Sequence, residues 1–166
     1  MNLEEGKQQF IQAWGALGSD WGISRTMAQI HALLLVSPDP LSADEVMAQL
    51  QISRGNANMN LRALIDWGLV YKKLLPGERK DFFIAEKDMW EVVKKVIIQR
   101  KKRELEPLNR VLDDLVVMED NSEEAREFEA VIREIKLFGS KADRALDTLT
   151  RADSNWFVGT FMKMIR

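Results

Sequence analysis

The sequence predicts a mainly α chain interrupted by one small β-hairpin, and three observations carry that reading. Apolar residues recur at three- and four-residue spacing through most of the 166 residues. That period fails in two short stretches, LVYKKLL (Leu69–Leu75) and DFFIAE (Asp81–Glu86), joined by the turn Pro76-Gly77-Glu78-Arg79-Lys80. Ser24, Ser42 and Ser53 each stand at the start of a helical run, where a side-chain oxygen can accept from an otherwise orphaned backbone N–H. Across residues 24–86 the order is helix, two-proline loop, short helix, tight turn, Asn-rich helix, hairpin. That is the layout of a winged helix-turn-helix. The expected organisation is an N-terminal helix for packing or dimerisation at 1–20, a winged helix-turn-helix DNA-binding domain at 21–87 and a C-terminal helical dimerisation region at 88–166.

The elements follow in order. Leu3, Phe10, Ile11, Trp14 and Leu17 form an amphipathic stripe, and GALGSDWG (Gly15–Gly22) is expected to break that first helix. Ser24 caps a helix with Met27, Ile30, Leu33, Leu34 and Leu35, which stops before Pro38 and Pro40. Ser42 and Glu45 have the spacing of a capping box and open a short helix with Val46, Met47 and Leu50. Ser53 begins the next helix, and the hairpin follows Gly68. From Lys87 the pattern is helical again through Leu115, with Pro107 expected to kink or split the run. Asn121 and Ser122 start a helix bearing Phe128, Val131, Ile132, Ile135, Phe138, Ala142, Leu146 and Leu149, and a last short helix covers Asn155–Arg166.

Hydrophobic content of 46% with 30% charged residues describes a globular protein. Cysteine is absent, which removes disulfides and thiolate metal sites and fits a reducing cytoplasm, the expected location. The start MNLEEGKQQF is unlike a signal peptide. The apolar run around Ala32–Val36 is too short to span a bilayer, so no membrane partner is expected. The formal net charge of −2 hides an uneven distribution. Ser53–Lys80 carries Arg54, Arg62, Lys72, Lys73, Arg79 and Lys80 against Asp66 and Glu78, a net +4, while Glu119–Glu134 is net −5, with seven acidic residues against Arg126 and Arg133. The two segments favour different neighbours.

The stretch SRGNANMNLRALIDWG (Ser53–Gly68) has apolar residues at helical spacing but carries Gly55, Asn56, Asn58 and Asn60 in its first two turns. Those residues cost about 2–3 kcal/mol of helix propensity against Ala. With Ala57, Leu61, Leu64 and Ile65 inward, Gly55, Asn56, Met59 and Arg62 project outward, and Asn58 and Asn60 flank that face. Asn pairs bidentately with adenine, Arg with guanine, and Met packs on a thymine methyl. The expected base-reading set is therefore Gly55, Asn56, Asn58, Met59 and Arg62. Ser53, Arg54, Asn60, Lys72, Lys73, Arg79 and Lys80 are expected at the DNA backbone. Trp67 is expected to pack the end of the helix.

SRGNANMNLRALIDWGLVYKK (Ser53–Lys73), followed by PGERKDFF, resembles the GbsR-like branch of the MarR-type transcriptional regulators. There the recognition helix carries S-R-G-N-x-(S/N)-M-N-L-R-x-L, with W-G and a charged wing after it. A coarser resemblance covers nearly the whole chain. It implies a homodimeric, DNA-binding transcriptional regulator whose dimer contacts come from helices outside the winged unit. Some relatives of this kind are repressors of genes for uptake or synthesis of osmoprotectants such as glycine betaine and choline. Asn58 departs from the Ser of many relatives, which would alter base preference.

A two-fold DNA reader is expected to be a homodimer on a pseudo-palindromic operator, of the repressor kind and open to a small-molecule effector. Trp14, Trp21, Trp90 and Trp156 are candidate walls of an aromatic cage for a quaternary ammonium ligand, against the alternative that they are core. QRKKRE (Gln99–Glu104) reads as a solvated helix face, with a phosphate contact or pairing to residues 119–134 as alternatives. His31 is the only histidine, and no hydrolase, Walker or zinc-binding motif occurs, so neither an enzyme nor a metal or other cofactor is expected. The competing reading is a protein-interaction module of winged-helix fold without specific DNA binding.

Overall fold

The computed structural model describes residues 1–115 and 122–153. Its chain divides into two compact units, Met1–Val92 and a second beginning at Val93.

The first unit opens with α1 (Leu3–Asp20), whose Asn2 and Glu5 form a reciprocal capping box. The helix does not break at Gly15; it runs on to Asp20, and Gly22 takes the left-handed turn with φ 75°. The glycines serve contact instead. A Cβ at Gly18 would lie 2.5 Å from the Ala28 Cβ, and one at Gly15 would lie 2.7 Å from the Gln29 Cγ. Both partners are on α2 (Arg25–Val36), capped by Ser24 as expected. Across the same seam, Gln12 Oε1 accepts from Arg25 Nη2 at 3.0 Å and Gln29 Nε2 at 3.1 Å.

A three-stranded antiparallel sheet replaces the expected two-stranded hairpin. β1 is only Leu41–Ser42, and it pairs with β3 (Phe82–Ala85), whose other edge holds β2 (Val70–Lys73). Two residues are too short a run to show a period in sequence. Ser42 ends β1 and also caps α3 (Ala43–Leu50), where its hydroxyl and backbone N–H both donate to Glu45 Oε2. These bonds hold the Glu45 carboxyl below its ordinary range. Gln51 closes α3 in the left-handed region at φ 53°, and Ser53 caps α4 (Arg54–Asp66). The core of this unit includes Ile30, Leu34, Val46, Leu61, Leu64 and Val70.

The exit from the sheet is tied down by one lysine. Lys87 Nζ donates to the carbonyls of Leu34 (3.0 Å), Leu35 (2.5 Å) and Ser37 (2.8 Å), which lie at the C-terminal end of α2. A cation there completes carbonyls that the helix leaves unpaired and opposes the negative end of its dipole.

Beyond Lys87, α5 (Met89–Arg100) passes into a π-helical turn (Lys101–Leu105) and then α6 (Glu106–Asp114). Pro107 has no N–H for the regular ladder, and it falls in the first turn of α6, where that donor is dispensable. The expected kink is thus a change of helical pitch. α7 (Glu123–Arg151), capped by Ser122, packs against α6 and buries Ala125, Ile132 and Gly139. The basic run is partly satisfied there: Lys101 Nζ meets Asp147 at 2.5 Å and Asp143 at 3.1 Å, one turn apart on α7. Those carboxylates raise the Lys101 pKa. The acidic residues expected as its alternative partners lie between 119 and 134, whereas these two are further along the helix.

Candidate nucleic-acid interface

Helix α4 is held by its inner side. Ala57, Leu61, Leu64 and Trp67 are buried, with Trp67 closing the helix end as expected. Ile65 is only half-buried. On the outer side Arg54, Gly55, Asn58, Met59 and Arg62 are exposed, Met59 at 64%. An unbranched apolar side chain left that far in water contributes nothing to the unit's own core. At Gly55 nothing lies within 4 Å of where a Cβ would be, so this turn of the helix can be approached closely.

Two asparagines depart from the expected arrangement. Asn60 was expected beside the DNA backbone, but it is 3% exposed on the inner side of α4. Its Nδ2 donates to the Asn56 carbonyl at 2.9 Å and to Asn56 Oδ1 at 2.7 Å. A buried amide needs such partners, and this one finds them one turn back. Asn56 is consequently half-buried, though on the outward side. The four-residue spacing of Asn56 and Asn60 was the available signal, since side chains at i and i+4 meet on a helix.

Ser53 Oγ accepts from Asn56 N at 3.3 Å, which fills the cap and leaves the hydroxyl proton for another acceptor. Arg54 reaches Asp44 on α3 at 3.3 Å, an exposed pair of the kind that contributes little and exchanges readily.

In the wing, Lys72 and Lys73 lie on β2 and Arg79 and Lys80 in the loop after it, all exposed. They are not equally available. Lys72 Nζ is bonded to Asp81 at 2.6 Å, and Lys80 Nζ stands 5.4 Å from the centre of the Phe82 ring. The wing also carries Leu74, 76% exposed.

Trp14 lies 5.4 Å from the Phe10 ring and 6.2 Å from His31, as part of the packing of α1 on α2, while Trp21 is exposed. Trp90 is half-buried near the start of α5, and Trp156 lies outside the described residues. His31 is buried with its Nε2 unpartnered, and desolvation lowers its pKa to about 4. No cluster of metal-binding side chains occurs among the described residues, and no helix there is long and apolar enough to cross a membrane.

A capped, outward-facing helix after a short helix and tight turn, with a basic antiparallel wing, defines a winged helix-turn-helix. Residues 21–81 match the MarR family. Among curated proteins the chain is similar to the HTH-type transcriptional repressor GbsR of Bacillus subtilis (strain 168), at 25% identity over 104 residues, 63% of this chain and 57% of that protein. It therefore spans little more than half of that relative's length. A solved structure of a transcriptional regulator superimposes with a TM-score of 0.67 at 21% identity, covering 88% of this chain and 97% of the other, which shows a shared fold. The winged unit is thus similar to that of the MarR family, and the chain is similar to its GbsR-like members.

Proposed function

We propose that this protein is a sequence-specific DNA-binding transcriptional regulator of the repressor kind, acting in the cytoplasm as a homodimer on a pseudo-palindromic operator. The observation that carries the reading is the outer face of α4. There Met59, Arg62, Asn58 and Gly55 face solvent on a helix that only its inner residues stabilise. These residue types match the major groove: Arg62 for guanine O6 and N7, Met59 for a thymine methyl, Asn58 for an adenine edge. Lys73, Arg79 and Lys80 supply phosphate contacts beside it, and Lys72 joins them on exchanging Asp81 for a phosphate.

The dimer reading is supported by α7. Its stripe divides into an inner set and an outer set, and Phe128, Val131, Ile135 and Phe138 remain exposed, Phe138 at 74%. A second copy would bury them around a two-fold axis, as an isologous interface requires. The effector implied by the GbsR-like resemblance is a small osmoprotectant; to act, it must bind one dimer geometry better than another.

The deciding experiment is sequencing of genomic fragments retained by the purified protein. A recurring two-fold motif near promoters is expected. Recovery without any enriched motif would replace this reading by a protein-interaction module.

A further inference from the structure

We infer that Asn60 is a positioning residue that presets the hydrogen-bond polarity of Asn56, so that the base facing Asn56 is read through a donor, at purine N7. The second half rests on the DNA-reading function proposed above; the first does not.

Position 60 lies on the buried side of α4, among Ala57, Leu61 and Leu64. An aliphatic side chain there would add to the core and favour the helix. Asparagine does neither, and its amide must be desolvated. The structure shows one use for it. Both Nδ2 contacts end on the same residue, Asn56, one on its carbonyl and one on its side-chain Oδ1.

The second contact sets which end of the Asn56 amide faces out. An amide has one donor end and one acceptor end, and its terminal torsion is otherwise broadly two-fold. With Oδ1 held toward Asn60, the Nδ2 end of this half-buried amide is the one left for a partner other than Asn60. Nδ2 donates, so its partners in the major groove are acceptors, of which purine N7 is common to guanine and adenine. Preorganisation of this kind removes the cost of freezing the amide on binding.

Two measurements test this. In free wild-type protein labelled with nitrogen-15, the Asn56 side-chain amide should be ordered, with an order parameter near that of rigid backbone, about 0.85. The exposed Asn58 amide serves as the mobile reference. An Asn56 amide as mobile as that of Asn58 would overturn the inference, without any variant or DNA.

The second is selection from randomised DNA by the wild type, Asn60→Ala and Asn60→Asp, each checked for folding by its thermal transition. Asn60→Ala should flatten base preference at one position per half-site and leave the others. Asn60→Asp places an acceptor against Asn56 Oδ1, so the Asn56 amide should turn over and present its oxygen. Guanine, which presents only acceptors in the major groove, should then lose by about tenfold at that position to adenine and cytosine, whose amino groups donate. Equal loss at every position, or no change at any, means that Asn60 only stabilises the helix. If the wild type itself enriches no motif, the DNA-reading function falls, and the amide dynamics still decide whether Asn60 positions Asn56.

Discussion

Arg62 and Lys73 carry the same charge, and the proposed function gives it different uses. Arg62 stands on the outer face of α4, where its planar fork can meet two acceptors of one guanine; Lys73 is a point charge on the wing. Arg62→Ala is expected to cost roughly 1–3 kcal/mol on the operator and to relax preference at one base pair. Lys73→Ala should weaken operator and scrambled DNA alike and reduce the salt slope by about 1. Titrations of both variants against both DNAs at several salt concentrations check this. Equal losses on the two DNAs for Arg62→Ala would mean that α4 does not read bases. His31 has a different kind of consequence. Its folded pKa, lowered to about 4 by burial, lies below the ordinary value of 6.5. The unfolded chain therefore binds the extra proton first, and stability present above pH 6.5 is lost as pH falls toward 4. Between pH 7 and pH 5 the loss attributable to His31 is about 2 kcal/mol. Urea unfolding at the two pH values should show it, and His31→Leu should remove most of the difference.

Among the elements, the seam between α1 and α2 gives the sharpest contrast. Gly6 and Gly18 lie on the same helix, but nothing stands within 4 Å of a Cβ at Gly6, whereas one at Gly18 would meet Ala28 at 2.5 Å. Gly6→Ala is expected to stabilise by up to about 1 kcal/mol through helix propensity alone. Gly18→Ala gains the same propensity but forces the helices apart, and is expected to destabilise by about 1–3 kcal/mol. Thermal unfolding of the two variants should therefore shift in opposite directions. Lys87→Met strips three carbonyls of their cation, and a loss of about 1–2 kcal/mol is expected, read by the same melts.

The same seam explains what the sequence could show. Helix starts were legible because a cap is local: Ser24, Ser42 and Ser53 accept from N–H groups three residues on. The two wing strands and the apolar side of α4 were legible from period, although each strand ends one or two residues short of the run that marks it. The break expected at Gly15–Gly22 was misplaced because a glycine in a helix and one in a turn look alike until the partner helix is known. Sequence alone places Asn60 at the flank of the outer face for a related reason. Polarity predicts exposure only when no neighbour satisfies the amide, and its neighbour is itself an asparagine.

For the whole molecule, the decisive matter is what covers α7. Phe128, Val131, Ile135 and Phe138 are exposed along one side of it, while Ala125, Ile132 and Gly139 face inward. Replacing Phe138 by Glu should leave the folded protomer intact, because that ring is not part of its core. On the proposed two-fold reading, it should shift the protein toward monomer in sedimentation experiments and weaken operator binding strongly, since a lone protomer would hold a single half-site. A variant that stays dimeric and binds normally would place the two-fold contact elsewhere in the chain.

The sheet order β1-β3-β2 leaves β2 with one edge unpaired by any described strand. Such an edge can template further strands from other molecules. Tyr71, Lys72 and Lys73 line it, and charged side chains there repel an incoming copy. The wing lysines thus guard solubility as well as serving the proposed phosphate contacts, and a variant stripped of both would be at risk of forming aggregates.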